Sequence, residues 1–226
     1  MRVVLAAAYL LHTRPYRNTS LLLEAFSREH GRLGLVARGV CRPGHRWRPL
    51  LQPFRLLRLS WQGRGDLGTL SAAEPEGPAK PPAGPLLIAG FYLNELLYRL
   101  LHRHDPHPPL FDAYHDSLRA LAAGAPVEPC LRRFEWILLR ESGYGLELRV
   151  DAQGSPIDPD RRYRYDPERG AVPDPQGVAA GATLLALAAG RFDEPAFWPE
   201  MKRLLGGVLR HHLGGRPLHS RRLWRR

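Results

Sequence analysis

The 226-residue sequence predicts an α+β protein. An N-terminal five-stranded β-barrel of the oligonucleotide-binding (OB) type occupies 1–78, and an α-helical domain with a small extended insert at about 144–172 occupies 79–226. Three observations carry this reading. Up to about residue 74, short apolar runs alternate with turn residues, the pattern of half-buried strands. Residues 75–85, PEGPAKPPAGP, hold five prolines and two glycines, too many for the interior of any element. Beyond them, apolar residues recur at spacings of three and four, as on a buried helix face.

The strands come first. AYLLH, SLLLEAF, RLGLVARG, PFRLLRLSW and LGTLSAAE are the five candidates. In 32–38 the period is two: Leu33, Leu35 and Ala37 face one way, Arg32, Gly34, Val36 and Arg38 the other. Five strands in so short a stretch have the economy of an OB barrel, and an SH3-like barrel reads alike at this level. VVLAAAYLL (3–11) has the look of a signal-peptide core but runs into HTRPYRNTS without a small-residue cleavage site, so it reads as the first strand.

Pro85 then suits the first position of a helix, with Ala89, Leu93, Leu96, Leu97 and Leu100 on one face and Glu95 and Arg99 as an i,i+4 pair. LFDAYHDSLRALAA gives a second helix and EPCLRRFEWILLRESG a third, stopped at Gly143. YGLELRV, DAQGSPIDPD and RYRYDPERG are extended segments around turns; GATLLALAAG and AFWPEMKRLLGGVLRHHL return to helix. No apolar run reaches the ~20 residues needed to span a bilayer, and the expected location is the cytoplasm.

Charge is the most informative feature. Net charge is +11, yet residues 1–64 hold twelve arginines against only Glu24 and Glu29. A single-sign field on one module implies a polyanionic partner. Its densest part, ARGVCRPGHRWRPLLQPF (37–54), contains Arg38, Arg42, Arg46 and Arg48 and no acid. Arginine suits this work because its planar guanidinium forks onto phosphate and stacks on bases. The C-terminal GGRPLHSRRLWRR is a second basic cluster.

Catalytic and metal signals are weak. Cys41 and Cys130 stand far apart in no ligand spacing, which excludes a four-cysteine zinc site and argues against a disulfide framework. His102, Asp105 and His107 in HRHDPH are the one tempting ligand group, in a segment that also suits a helix C-terminus. A metal-dependent nuclease needs a tighter carboxylate cluster than any found here, and GRGDLG lacks the strand-to-helix context of a phosphate loop. The expectation is a binding protein without cofactor, not an enzyme. Charge alone also fits an RNA-binding or ribosome-associated OB protein.

Taken in order, YLLHTRPYRNTSLLLEAFSREHGRLGLVARGV, LLQPF, GRGDLGTLSAAE, GFYLNELLYRLL, LFDAY, LRRFEWILLRESGYG and LGGRPLHSRRL resemble the bacterial RecO family of DNA repair proteins, over residues 9–223 and closest to its proteobacterial branch. The resemblance implies an OB fold, a helical C-terminal domain, binding of single- and double-stranded DNA, and annealing of complementary strands. It also implies that the partner RecR helps displace single-strand-binding protein so that the RecA recombinase can load. Many members carry a four-cysteine zinc module where 144–172 here has no cysteine, so a zinc-free insert is expected.

In that frame Arg14, Arg17, Arg38, Arg42, Arg46, Trp47, Arg48 and Arg64 would contact DNA from the barrel, with Arg216, Arg221, Arg222, Arg225 and Arg226 as a second contact or a solvated tail. For Trp47, stacking on a base and plugging the barrel beneath the loop both remain open. The resemblance also implies a site for the acidic, hydrophobic C-terminal tail of single-strand-binding protein near LRRFE. Arg132 would clamp a carboxylate, flanked by Arg133, with Leu97, Leu100 and Phe134 as pocket walls. The opposing possibility is that Arg132 and Arg133 pair with Glu128 and Glu135 on an ordinary helix surface.

Overall fold

The computed structural model describes residues 2–63, 65–78 and 81–223, with positions 221 and 222 described in their backbone only. The chain divides into two compact units, residues 1–124 with 219–226 and residues 125–218. The proline-rich crossing at 75–85 therefore lies inside the first unit.

That unit is built on a closed barrel of β1 (Arg2–Tyr16), β2 (Ser20–Ser27), β3 (Gly31–Ala37), β4 (Leu57–Gln62) and β5 (Leu67–Pro75), in the order β1-β2-β3-β5-β4. β1 closes the ring against β4, and β3 meets β5 in parallel through Leu35↔Gly68. This is the OB-type barrel expected. Its interior takes alternate residues: Ala8 and Leu10 from β1, Leu23 and Ala25 from β2, Leu33 and Leu35 from β3, Leu57 and Leu59 from β4.

The intervening residues explain why β1 resembles a signal-peptide core. Tyr9 and Leu11 are buried on the outer face, so the run is apolar on both sides. The cover is α1 (Pro85–Leu100) and α2 (Pro108–Ala122). Tyr9 and Phe26 pack on Phe111 and Tyr114 with ring centroids 5.1–6.4 Å apart. Asn94 donates to the carbonyl of Leu11 at 3.0 Å and accepts from the Tyr114 hydroxyl, so the buried polar atoms of this seam have partners. HRHDPH runs as a strap along β3, and among the described residues its side chains form no group of three that could hold a metal. His104 N donates to Arg32 O at 2.9 Å, and a Cβ at Gly31 would lie 2.1 Å from Asp105 O, so only glycine fits there.

In the second unit α3 (Val127–Glu141) and α5 (Trp198–His212) pack together, and α4 spans Gly181–Ala188. The insert is a small sheet of β6 (Arg162–Asp166), β7 (Gly170–Pro173) and β8 (Ala179–Ala180), in the order β7-β6-β8. It reaches past residue 172 because β8 completes it. Its turns are closed by aspartate carboxylates: Asp151, Asp158, Asp166 and Asp174 accept from the backbone N–H of Gln153, Asp160, Glu168 and Gln176 at 2.8–3.0 Å. Zinc does not fit this insert. It has no cysteine, and no three His, Cys, Asp or Glu among the described residues could hold a metal. Nor is any described helix long and apolar enough to cross a membrane.

Candidate nucleic-acid interface

Two loops build one basic ledge at an end of the barrel. The β1–β2 hairpin ends on Tyr16↔Ser20, so Arg17 lies in its tight turn. Arg17 adopts φ 53, a left-handed conformation that side chains other than glycine and asparagine seldom take, and its guanidinium lies 5.3 Å over the Tyr16 ring. The long β3–β4 connection then passes over the barrel mouth as successive turns, with Arg42 N donating to Gly39 O and His45 N to Arg42 O. It is tied to the hairpin by Cys41 N donating to Thr19 O at 2.9 Å and Gly39 N to Ser20 Oγ at 3.4 Å.

The connection is sorted by polarity. Val40 and Leu51 are buried in the barrel core, with Cys41, Trp47 and Leu50 partly buried against it. Arg38, Arg42, Arg46 and Arg48 are exposed. Trp47 thus packs in part against the barrel core beneath the loop. Its ring is flanked by His45 at 5.3 Å and by the Arg46 guanidinium at 5.7 Å.

The ledge borders a cleft of about 510 Å³ lined by Tyr16, Arg17, Arg38, Arg42 and the β5 segment Leu67–Thr69, and by no carboxylate among the described residues. A second cleft of about 470 Å³, around His30, Trp61 and His104, has Glu29 and Asp66 in its lining and does not suit phosphate.

Electrostatics sharpens the contrast. Several other arginines of this unit are neutralised: Arg28 forks onto Asp112 at 2.9 Å, Arg32 and Arg103 share the buried carboxylate of Glu24, and Arg58 meets Glu76 at 2.7 Å. Arg14, Arg17, Arg38, Arg42, Arg46 and Arg48 are all exposed and make no ion pair with any described residue. The ledge thus gathers six arginines whose charge no described carboxylate cancels.

Arg64, Arg225 and Arg226 lie outside the described residues, as do the side chains of Arg221 and Arg222. Arg216 is exposed in the second unit. The neutral cleft residues Tyr16, Thr19, Ser20 and Thr69 were not singled out from sequence, where they look like ordinary turn and strand residues.

The residues expected to hold a protein tail are distributed otherwise. Leu97 and Leu100 belong to the first unit and are buried; Phe134 is buried in the second. Neither cleft above is lined by any of them. Arg132 is not a rim arginine. Its side chain is 3% exposed, 2.7 Å from Glu135 and 3.4 Å from Glu128, so the helix-surface pairing is present but sunk into the fold. Its Nε and Nη1 have no hydrogen-bond partner. Arg133 is the exposed neighbour, 5.7 Å over the Phe192 ring.

A closed OB-type barrel carrying an unneutralised basic cleft defines an oligonucleotide-binding class of protein. Comparison with known proteins narrows this. Residues 1–79 match the family model for the recombination protein O N terminal region, and residues 84–222 the model for its C terminal region. The DNA repair protein RecO of Methylococcus capsulatus is 49% identical, covering 99% of this chain and 94% of that one. RecO of Nitrosococcus oceani is 50% identical over 99% and 93%, and RecO of an Azoarcus species 46% identical over 98% and 95%. The chain belongs to the RecO family of DNA repair proteins.

Proposed function

We propose that the chain is a recombination mediator. It binds single- and double-stranded DNA along the ledge of Arg14, Arg17, Arg38, Arg42, Arg46 and Arg48, promotes annealing of complementary strands, and acts with RecR to load the recombinase on DNA covered by single-strand-binding protein. One observation carries the DNA-binding part: Arg17, Arg38 and Arg42, exposed and without carboxylate partners among the described residues, line an acid-free cleft on an OB-type barrel, and the exposed Arg14, Arg46 and Arg48 likewise make no ion pair with a described residue. Phosphates lie along this ledge and bases face outward, with Trp47 partly buried against the barrel core beneath the loop. Contacts of this kind fix no sequence. Annealing follows physically: a cationic surface screens the repulsion between two strands while leaving their base edges free.

Docking of the acidic tail of single-strand-binding protein on α3 is the second part of the proposal. Its support is the exposed Arg133 beside the buried Arg132, whose Nε has no hydrogen-bond partner while its Nη1 faces Glu128 at 3.4 Å. A carboxylate reaching them would supply charge-assisted bonds. Family membership across both halves of the chain favours DNA over the RNA-binding alternative. The test is annealing of two labelled complementary oligonucleotides precoated with single-strand-binding protein, followed by energy transfer. Wild type accelerates it, Arg42/Arg46/Arg48→Ala does not, and Arg133→Ala is impaired only on precoated strands. Equal rates for all three proteins would overturn the proposal.

A further inference from the structure

The arginines of the ledge are not equivalent. Arg17, Arg38 and Arg42 line the cleft of about 510 Å³, whereas Arg14, Arg46 and Arg48 are not part of its lining. Three segments converge there: the turn between β1 and β2, the start of the β3–β4 connection, and the start of β5. They bring hydroxyl groups as well as charge. Tyr16, Thr19 and Thr69 line the cleft, and their hydroxyls have no hydrogen-bond partner among the described residues. Ser20 Oγ accepts from Gly39 N at 3.4 Å, which leaves its own proton to donate. Leu67, 42% exposed, gives the same cleft an apolar side.

A phosphate in the interior of a strand does not use all of this. A diester carries one charge and offers two free oxygens. A terminal monoester carries nearly two charges at neutral pH and offers three acceptor oxygens. Three guanidiniums and four hydroxyl-bearing residues, with no described carboxylate in the lining, match the larger anion. Each added oxygen finds a donor, and bonds from a guanidinium to a charged oxygen are the stronger kind. The apolar side at Leu67 suits a sugar, which inorganic phosphate lacks.

We propose that the cleft holds the terminal phosphate monoester of a DNA strand, while Arg14, Arg46 and Arg48 track the internal diesters that follow. Tyr16, Thr19, Ser20 and Thr69 are then the residues that tell an end from an interior. The inference rests on the proposed DNA binding of the ledge and gives it a fixed starting point: the strand is anchored at its end, and the bases beyond face outward for pairing. A free mononucleotide carries the same monoester. The arginines outside the cleft favour the strand, because a mononucleotide has no further phosphate to offer them.

The test is fluorescence anisotropy of one internally labelled single-stranded oligonucleotide, made with a phosphate at one end, at the other, or at neither. Each form is titrated across a salt series with wild type, Tyr16→Phe/Thr69→Val and Arg46/Arg48→Ala, and thymidine monophosphate serves as unlabelled competitor. An additional hydrogen bond to a charged group is worth about tenfold in affinity, so wild type prefers a phosphorylated form by about that factor. Tyr16→Phe/Thr69→Val brings the ratio towards one. Arg38→Ala, at an exposed position, does the same and serves if the double variant is unstable. Arg46/Arg48→Ala weakens all forms alike, lowers the salt slope and keeps the wild-type ratio.

Equal affinity of wild type for all forms overturns end recognition, and a lowered salt slope in Arg46/Arg48→Ala then still supports the ledge. A wild-type ratio in both cleft variants overturns the proposal by assigning the preference to other residues. Thymidine monophosphate binding as tightly as the phosphorylated strand overturns it in favour of a mononucleotide site. If Arg46/Arg48→Ala binds every form as wild type does, the ledge reading itself has failed, and the anchored strand falls with it.

Discussion

Replacing Arg132 by alanine tests how the second unit is held together and how any partner assay on α3 must be read. The Arg132 and Glu135 side chains are 3% and 1% exposed and meet at 2.7 Å. Arg132→Ala takes the guanidinium away from a carboxylate still enclosed by the fold. Losing one member of a buried pair costs about 3–5 kcal/mol, and a chain of this length melts about 2–4 °C lower per kcal/mol, giving a fall of roughly 6–20 °C. Arg132→Met combined with Glu135→Leu removes both charges and fills similar volume, so its stability returns to within about 1 kcal/mol of wild type or exceeds it. Thermal unfolding of the three proteins by circular dichroism is the assay. Loss of tail-peptide binding in Arg132→Ala is then meaningful only well below its own transition, and Arg133→Ala, at an exposed position, is the cleaner variant. An Arg132→Ala protein melting within about 2 °C of wild type would refute the buried-pair reasoning.

Other expectations follow from single features. Arg17→Gly relieves a left-handed backbone worth about 1–2 kcal/mol against a glycine entropy cost of about 0.5–1 kcal/mol. Melting is therefore unchanged or slightly raised while the slope of DNA affinity against salt falls by about 0.7, opposite signs that one preparation can measure. Chelation with EDTA leaves the unfolding transition unmoved, because aspartate side chains close the insert's turns; a drop in melting temperature would show a metal in use. Glu200 joins β8 and α4 through Ala180 N, Thr183 and Arg162. Burial lifts its pKa, but the bonds from Thr183, Ala180 and Arg162 hold it below the ordinary 4.5. The unfolded chain therefore takes the proton more readily. This stabilisation is complete above pH 4.5 and is lost as pH falls through the lower folded value. In Glu200→Gln, urea unfolding loses that part of its acid dependence.

Much of the fold was legible because the relevant signals are local. Alternation in 32–38 gave β3, and helical spacing from Ala89 to Leu100 gave the face of α1 that is in fact buried. The basic loop was legible for the same reason, since charge clustering survives any folding of the segment. What was not legible depends on partners distant in sequence. Nothing near Tyr9 announces that it will pack on Phe111 and Tyr114, contacts that seat α2 on the barrel within one unit. An i,i+3 pair such as Arg132 and Glu135 has the same spacing on a wet surface as in a core; only the packing of α3 with α5 decides. Trp47 is ambiguous in sequence because a loop tryptophan suits a base and a barrel mouth equally; the structure packs part of it against the core cluster that holds Val40 and Leu51. Glu24 read as one of two isolated acids, whereas it is the shared partner of Arg32 and Arg103, the latter 79 residues away.

The most direct test of the ledge is fluorescence anisotropy of a labelled single-stranded oligonucleotide, titrated with wild type and with Arg42/Arg46/Arg48→Ala across a salt series. Six phosphate contacts predict a slope of about −4 in log affinity against log salt for wild type, and about −2 for the variant with half of them removed. Equal slopes for the two proteins would contradict the account and assign the charge of residues 37–54 to some other task.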